Sequence, residues 1–182
     1  MKKENTALYI LRLAVTLLLI TAIMAGILAL VNNITAPRIA ALKAEKTQKA
    51  IEAVLPGGGE AMEVPQGAKL VSALYGSGAG YAVEVTPIGF DNTVTMMVGI
   101  AKDGTVLGIS VISHTETAGL GAVAAAKNTA GEAFRAQFVG LSGSVSVTKD
   151  GGSVDAITGA TITSRAICQG INAALECVKG IQ

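Results

Sequence analysis

The sequence predicts an α+β fold in which one N-terminal transmembrane helix and a stalk helix carry a domain built from an antiparallel sheet packed by helices. Three observations point there. Residues 13–31, LAVTLLLITAIMAGILALV, contain no charge and only two polar side chains, Thr16 and Thr21. Four short apolar runs follow between residues 69 and 113, two of them joined by the hairpin signal Lys102-Asp103-Gly104-Thr105. The C-terminal stretch then places Ile167, Ile171, Ala174, Leu175 and Val178 at helical spacing.

Nineteen residues at about 1.5 Å each span roughly 28 Å, close to the hydrocarbon thickness of a bilayer. The run is too long for a typical signal-peptide core, and no A-x-A cleavage site follows it. A single span over residues 8–32 is therefore expected, after a short tail over residues 1–7. Lys2, Lys3 and Arg12 precede the helix, and Arg38, Lys43, Lys46 and Lys49 follow it, so charge alone does not set the orientation. A seven-residue tail with two lysines is easily left inside, and a long folded part can be exported largely regardless of its charge.

Residues 33–56 read as stalk and linker. Pro37 suits a first helical turn, and Ala, Leu, Lys, Glu and Gln dominate up to Leu55. Pro56 and Gly57-Gly58-Gly59 stop the helix. Ile39, Leu42, Ile51, Val54 and Leu55 make a partial apolar stripe, suited to packing on a neighbour or on the domain.

Residues 57–182 are long enough for a core of their own and hold 21 of the 22 glycines. Strands are expected at Lys69–Tyr75, Gly80–Pro87, Val94–Ala101 and Val106–Ser113, with a further one near Val145–Thr148. Helices are expected at Gly121–Phe138 and Thr161–Lys179.

Charge divides along the chain. Residues 1–56 carry seven basic and three acidic side chains, whereas residues 57–182 carry seven basic and ten acidic. The mildly acidic domain has no basic stripe, which argues against nucleic acid as a partner. The basic stretch beside the apolar run suits anionic membrane lipid or a partner protein. Cys168 and Cys177 form no C-x-x-C, so a zinc or iron–sulfur site in this chain is not expected. On one helix they would stand about 13 Å apart on opposite faces, out of disulfide reach, and read as buried thiols.

Two loops could carry chemistry. In Asp155–Ser164, DAITGATITS, five of ten side chains are hydroxyls or a carboxylate, and a flexible turn, Thr158-Gly159-Ala160, stands just before an expected helix start at Thr161. Such a turn can hold a phosphate on backbone N–H groups, with Thr158, Thr163, Ser164 and Arg165 assisting. It can also present the Thr161 hydroxyl for modification. Equally, Asp, Thr and Ser cap helices and Gly marks turns, so a capped turn accounts for the same residues. The second loop, His114–Gly121, reads HTETAGLG and lies between a strand and a helix. His114, the only histidine, with Glu116 makes a poor metal site and reads as a loop histidine bonded to its turn. Gly119 and Gly121 around Leu120 can set an aliphatic side chain against a flat ligand. There is no Trp, and Tyr75, Tyr81 and Phe90 read as core residues. No Walker, G-x-G-x-x-G or G-x-S-x-G motif appears, and no independent catalytic acid or base is evident.

The segment Asp155–Thr163 resembles the flavinylation motif of the FMN-binding domain family, and HTETAGLG followed by Phe134–Gly140, FRAQFVG, resembles that family's second signature. With the anchor and a stalk ending Ala-Val-Leu-Pro, nearly the whole chain is similar to the G-subunit family of Rnf electron transport complexes. The resemblance implies FMN joined covalently to Thr161 by a phosphoester, attached by a separate flavin transferase. It implies that Thr158, Gly159, Ala160, Thr163 and Ser164 form the setting of the phosphate, with Thr117, Leu120 and Gly121 near the isoalloxazine ring. Ala118 stands where the family often has proline. The implied protein is a single-pass component of the cytoplasmic membrane with its domain on the extracytoplasmic side. It would relay electrons among other subunits of an ion-translocating ferredoxin:NAD oxidoreductase complex. A stand-alone membrane-anchored flavoprotein carrier and a non-redox tethered binding module are the alternatives.

Overall fold

The computed structural model describes residues 6–181, so the first five residues of the expected tail and Gln182 lie outside the described part. By contacts the chain forms two compact units, Met1–Glu45 and Lys46–Gln182.

Helix α1 runs over Thr6–Val54 without a break at Pro37, where the sequence predicts the start of a second helix. Pro37 has no N–H to donate to the preceding turn, yet the helix continues through it. The apolar side chains from Leu8 to Val31 are exposed, and this part of α1 is long and apolar enough to cross a bilayer. Its two threonines turn their hydroxyls inward. Thr16 donates to Arg12 O at 3.0 Å and Thr21 to Leu17 O at 3.0 Å, which leaves no dangling polar atom on these side chains.

The second unit contains a five-stranded antiparallel meander: β1 Glu60–Met62, β2 Val71–Gly76, β3 Gly80–Val85, β4 Thr95–Ala101 and β5 Val106–Ser113, in that order across the sheet. The Asp103 carboxylate accepts from Thr105 N (3.0 Å) and Thr105 Oγ1 (2.6 Å), with Gly104 at φ +83°, and so closes the β4–β5 hairpin. On one face of the sheet Leu74, Val83, Val85, Met96, Val98 and Ile100 pack against helix α3, Thr161–Lys179, through Ile167, Ile171, Leu175 and Val178, and against α2, Thr129–Ala136, through Phe134. Each fully buried Ile or Leu there stabilises the fold by about 1.5–3 kcal/mol.

The opposite face is also covered. Ala50, Ile51, Val54 and Leu55 bury themselves with Ala82 of β3 and Met97 of β4. A Cβ on Gly99 would overlap the Val54 carbonyl, so only glycine lets the end of α1 lie on β4. Burial of both faces explains why these strands read as continuous apolar runs rather than clean alternation.

Three further expectations differ. The helix expected over Gly121–Phe138 is a 3-10 turn at Gly121–Ala125 followed by α2, separated by extended Ala126 and by Asn128, whose side chain caps α2 by accepting from Gly131 N at 2.9 Å. The strand expected near Val145–Thr148 reduces to one parallel bridge, Val147 to Val154, before a 3-10 turn at Thr148–Asp150. Strand β1 has no counterpart among the expected strands; it is three exposed residues at the sheet edge after a glycine run. Cys168 and Cys177 are both buried and free on α3.

Candidate functional site

The segment leading to α3 is fixed from behind. Gln137, just after α2, accepts from Asp155 N at 2.7 Å and donates to Asp155 O at 3.3 Å. Ser164 Oγ accepts from Ile157 N and donates to Ala160 O, both at 3.0 Å. Between these holds the chain turns at Gly159, φ +76°, where a Cβ would stand 2.9 Å from Leu120 Cδ2. Helix α3 then begins at Thr161 as the sequence predicts, but its N-cap is Ala160, and no side chain among the described residues caps it. The first-turn N–H groups, which a helix cannot satisfy internally, belong to Thr161, Ile162 and Thr163, residues that line the cleft, and no side chain among the described residues caps them.

The second loop meets this helix start through a buried carboxylate. Glu116 is 7% exposed and accepts from Thr163 Oγ1 at 2.5 Å and from Phe90 N at 2.8 Å. One side chain thus ties together the β3–β4 loop, the loop after β5 and the first turn of α3. Glycines surround it. A Cβ on Gly89 or Gly121 would overlap the Glu116 carboxylate, and at Gly121 it would also stand 2.6 Å from Thr163 Oγ1. His114 does not bond the turn as the sequence suggests. Its Nδ1 is buried without a hydrogen-bond partner among the described residues, and Glu116 does the stitching instead.

Together the loops enclose a cleft of about 320 Å³, within the range of small-molecule sites. Glu116, Thr117, Leu120 and Gly121 line one side, and Gly159, Ala160, Thr161, Ile162 and Thr163 the other. Phe90 and Lys149 complete the lining. Seven of the residues singled out from the sequence as cofactor contacts therefore meet at one place. Thr158 is exposed and Ser164 is fully buried in the helix turn; neither lines the cleft. Arg165 is engaged elsewhere, donating to both oxygens of Asp150 at 2.6 Å. That pairing holds the Asp150 carboxyl below the usual carboxylate range and raises the Arg165 guanidinium.

Sequence reasoning missed Phe90, Ile162 and Lys149. Tyr75 and Tyr81 do pack on core clusters, but Phe90 is 68% exposed, and its place at the cleft depends on the loop that Glu116 holds. Lys149 donates from Nζ to Thr161 Oγ1 at 3.4 Å, a contact across twelve residues that no spacing rule announces.

A cleft with apolar walls, a helix N-terminus lacking a capping side chain and a threonine at its mouth has the form of a site for a flat, phosphate-bearing ligand, and comparison with known proteins agrees. The FMN-binding domain family matches residues 89–176, a range that contains every residue of the cleft. The RnfG N-terminal region matches residues 1–54. The chain is 34% identical over 180 residues to the G subunit of the ion-translocating oxidoreductase complex of Methanosarcina acetivorans, covering 92% of this chain and 93% of the relative. It is 30% identical to the G subunit of the Na(+)-translocating ferredoxin:NAD(+) oxidoreductase complex of Acetobacterium woodii, covering 93% and 92%. It is 34% identical to the G subunit of the proton-translocating ferredoxin:NAD(+) oxidoreductase complex of Clostridium ljungdahlii, covering 88% of each. The chain belongs to the RnfG family, the G subunits of Rnf-type ion-translocating oxidoreductase complexes.

Proposed function

We propose that this chain is the membrane-anchored electron-relay component of an ion-translocating ferredoxin:NAD oxidoreductase complex and carries FMN through a phosphoester to Thr161. The observation that carries the reading is the position of Thr161. Thr161, a half-buried residue, opens a helix that no side chain among the described residues caps, inside the same cleft as Thr117, Leu120 and Gly121. The free N–H groups and the helix dipole suit the negative charge of a phosphodiester. Gly159 brings backbone close without a Cβ, and Leu120, Ile162 and Phe90 offer apolar surface to a ring. The flavin, when bound, supplies the electron-transfer chemistry. The protein orients it, screens it with apolar side chains and prevents its loss, because a tether replaces a bimolecular equilibrium by an intramolecular one.

In this reading residues 8–32 anchor the chain in the cytoplasmic membrane, residues 1–7 stay inside, and residues 57–182 work on the extracytoplasmic side. A flavin transferase matures the protein, and the other subunits of the complex supply and remove electrons. The family membership over most of the chain favours a complex component over a lone carrier. Co-expression with a flavin transferase should give a band that fluoresces in a denaturing gel and an intact mass raised by one esterified FMN. Thr161→Val should lose both completely; a variant that kept covalent flavin would overturn the assignment.

A further inference from the structure

We infer that Lys149 is the cation that pairs with the phosphate carried on Thr161, and that Arg165 serves only to hold the Lys149 turn in place. The inference rests on the reading that Thr161 is the attachment point.

Two cations stand near the motif, and the structure treats them differently. Arg165 meets the Asp150 carboxylate through two parallel hydrogen bonds at 2.6 Å, the fork-to-fork arrangement that a guanidinium favours. Both oxygens of Asp150 are engaged, so that pair presents little net charge to the cleft. The same pair clamps the Thr148–Asp150 turn onto the first turns of α3. Thr148 N, donating to Val154 O at 2.8 Å, fixes the turn's other end, and Gly151 at φ +82° closes it after Asp150. Lys149 is left between these anchors and lines the cleft. Its one side-chain hydrogen bond among the described residues goes to Thr161 Oγ1.

The 3.4 Å length of that bond makes it weak as a lysine–hydroxyl contact. Esterification of Oγ1 would put anionic oxygens beside an ammonium whose flexible stem lets it follow them. A compact, mobile point charge suits a phosphate at an open mouth, whereas the rigid fork of Arg165 is already matched to a carboxylate. The helix N-terminus and Lys149 would then approach the phosphate from different elements.

The test uses the full chain, co-expressed with a flavin transferase, in bare and flavin-loaded forms. Lysine amines are labelled with a small acylating reagent, and peptides are quantified by mass. A neighbouring anion favours the charged ammonium, so Lys149 should label at least about threefold more slowly in the loaded form. That protection should shrink in molar salt, where charge is screened but steric cover is not. Lys179, remote from the cleft on α3, should label equally in both forms. In parallel, Lys149→Met should slow flavin loading by about tenfold, as expected for losing one charge-assisted contact, while Lys149→Arg retains most of the rate. If the loaded protein carries its flavin on Thr161 yet Lys149 labels at an unchanged rate, the inference fails and the attachment stands. Salt-independent protection, or Lys149→Met loading at the wild-type rate, also overturns it. If no mass is gained on Thr161, the attachment reading itself fails.

Discussion

The two sides of the cleft are built on opposite plans. On the floor Glu116 is buried, both its oxygens accept hydrogen bonds, and glycines at 89 and 121 are pressed against it. At the mouth Ala160 leaves a helix start without a side-chain cap, Thr161 is half buried, and Lys149 reaches in from a separate turn on a long contact. A buried polar group left unpaired destabilises the fold, and the Glu116 carboxylate is paired at both oxygens, whereas among the described residues His114 Nδ1 in the same loop is not. Glu116 closes the frame with its own hydrogen bonds, whereas the mouth holds a helix start with no capping side chain among the described residues.

Gly121→Ala attacks the floor and should have the largest effect. The added methyl overlaps the Glu116 carboxylate and crowds Thr163, and neither can retreat without breaking a buried hydrogen bond. Loss of about 3 kcal/mol is expected in urea unfolding. Gly159→Ala attacks the mouth. It forces an L-residue to φ +76° and pushes on Leu120, whose exposed end can yield. About 1 kcal/mol should be lost, with a larger proportional loss in flavin loading than in stability. Equal damage from the two substitutions would erase the distinction between the two sides.

Asp150→Asn should be the mildest change. The pair with Arg165 is exposed, so melting curves of wild type and variant should nearly overlap at pH 7. The Asp150 carboxyl is held below its ordinary range by Arg165, so whatever stability it adds is present above about pH 4 and fades as pH falls through its lowered pKa. The small difference between wild type and Asp150→Asn should therefore shrink in acid and never grow. A difference that widened below pH 4 would contradict this.

The sheet is legible in the sequence because its signals are local. Turn chemistry at Asp103-Gly104 and short apolar runs locate β2 to β5 to within a few residues. The start of α3 is legible for the same reason. The run GAVAAAKNTAGEAF misleads because its alanine content favours one helix, while the Asn128 cap and the missing side chain of Gly131, packed on the carbonyls of Val123 and Ala126, impose a break. At the site, both loops can be read as segments, but their meeting cannot. Glu116 to Thr163 spans 47 residues, and Lys149 reaches Thr161 only because Asp150 and Arg165 set the turn. Phe90 looks like core because it is aromatic, yet a backbone hydrogen bond to a distant carboxylate leaves it at the rim.

The last turn of α1 carries a consequence for how the domain comes into being. Val54 lies on Gly99, and Ile51 and Leu55 share their cluster with Met97. During synthesis the early segment must wait roughly 45 residues for the strand that will cover it, a non-local closure of the kind that slows folding. Until β4 arrives, one greasy turn of helix stands open at the base of the nascent domain. A fragment cut at Gly57 to make a convenient soluble piece would inherit the reverse problem, a finished sheet with Ala82 and Met97 bared to water.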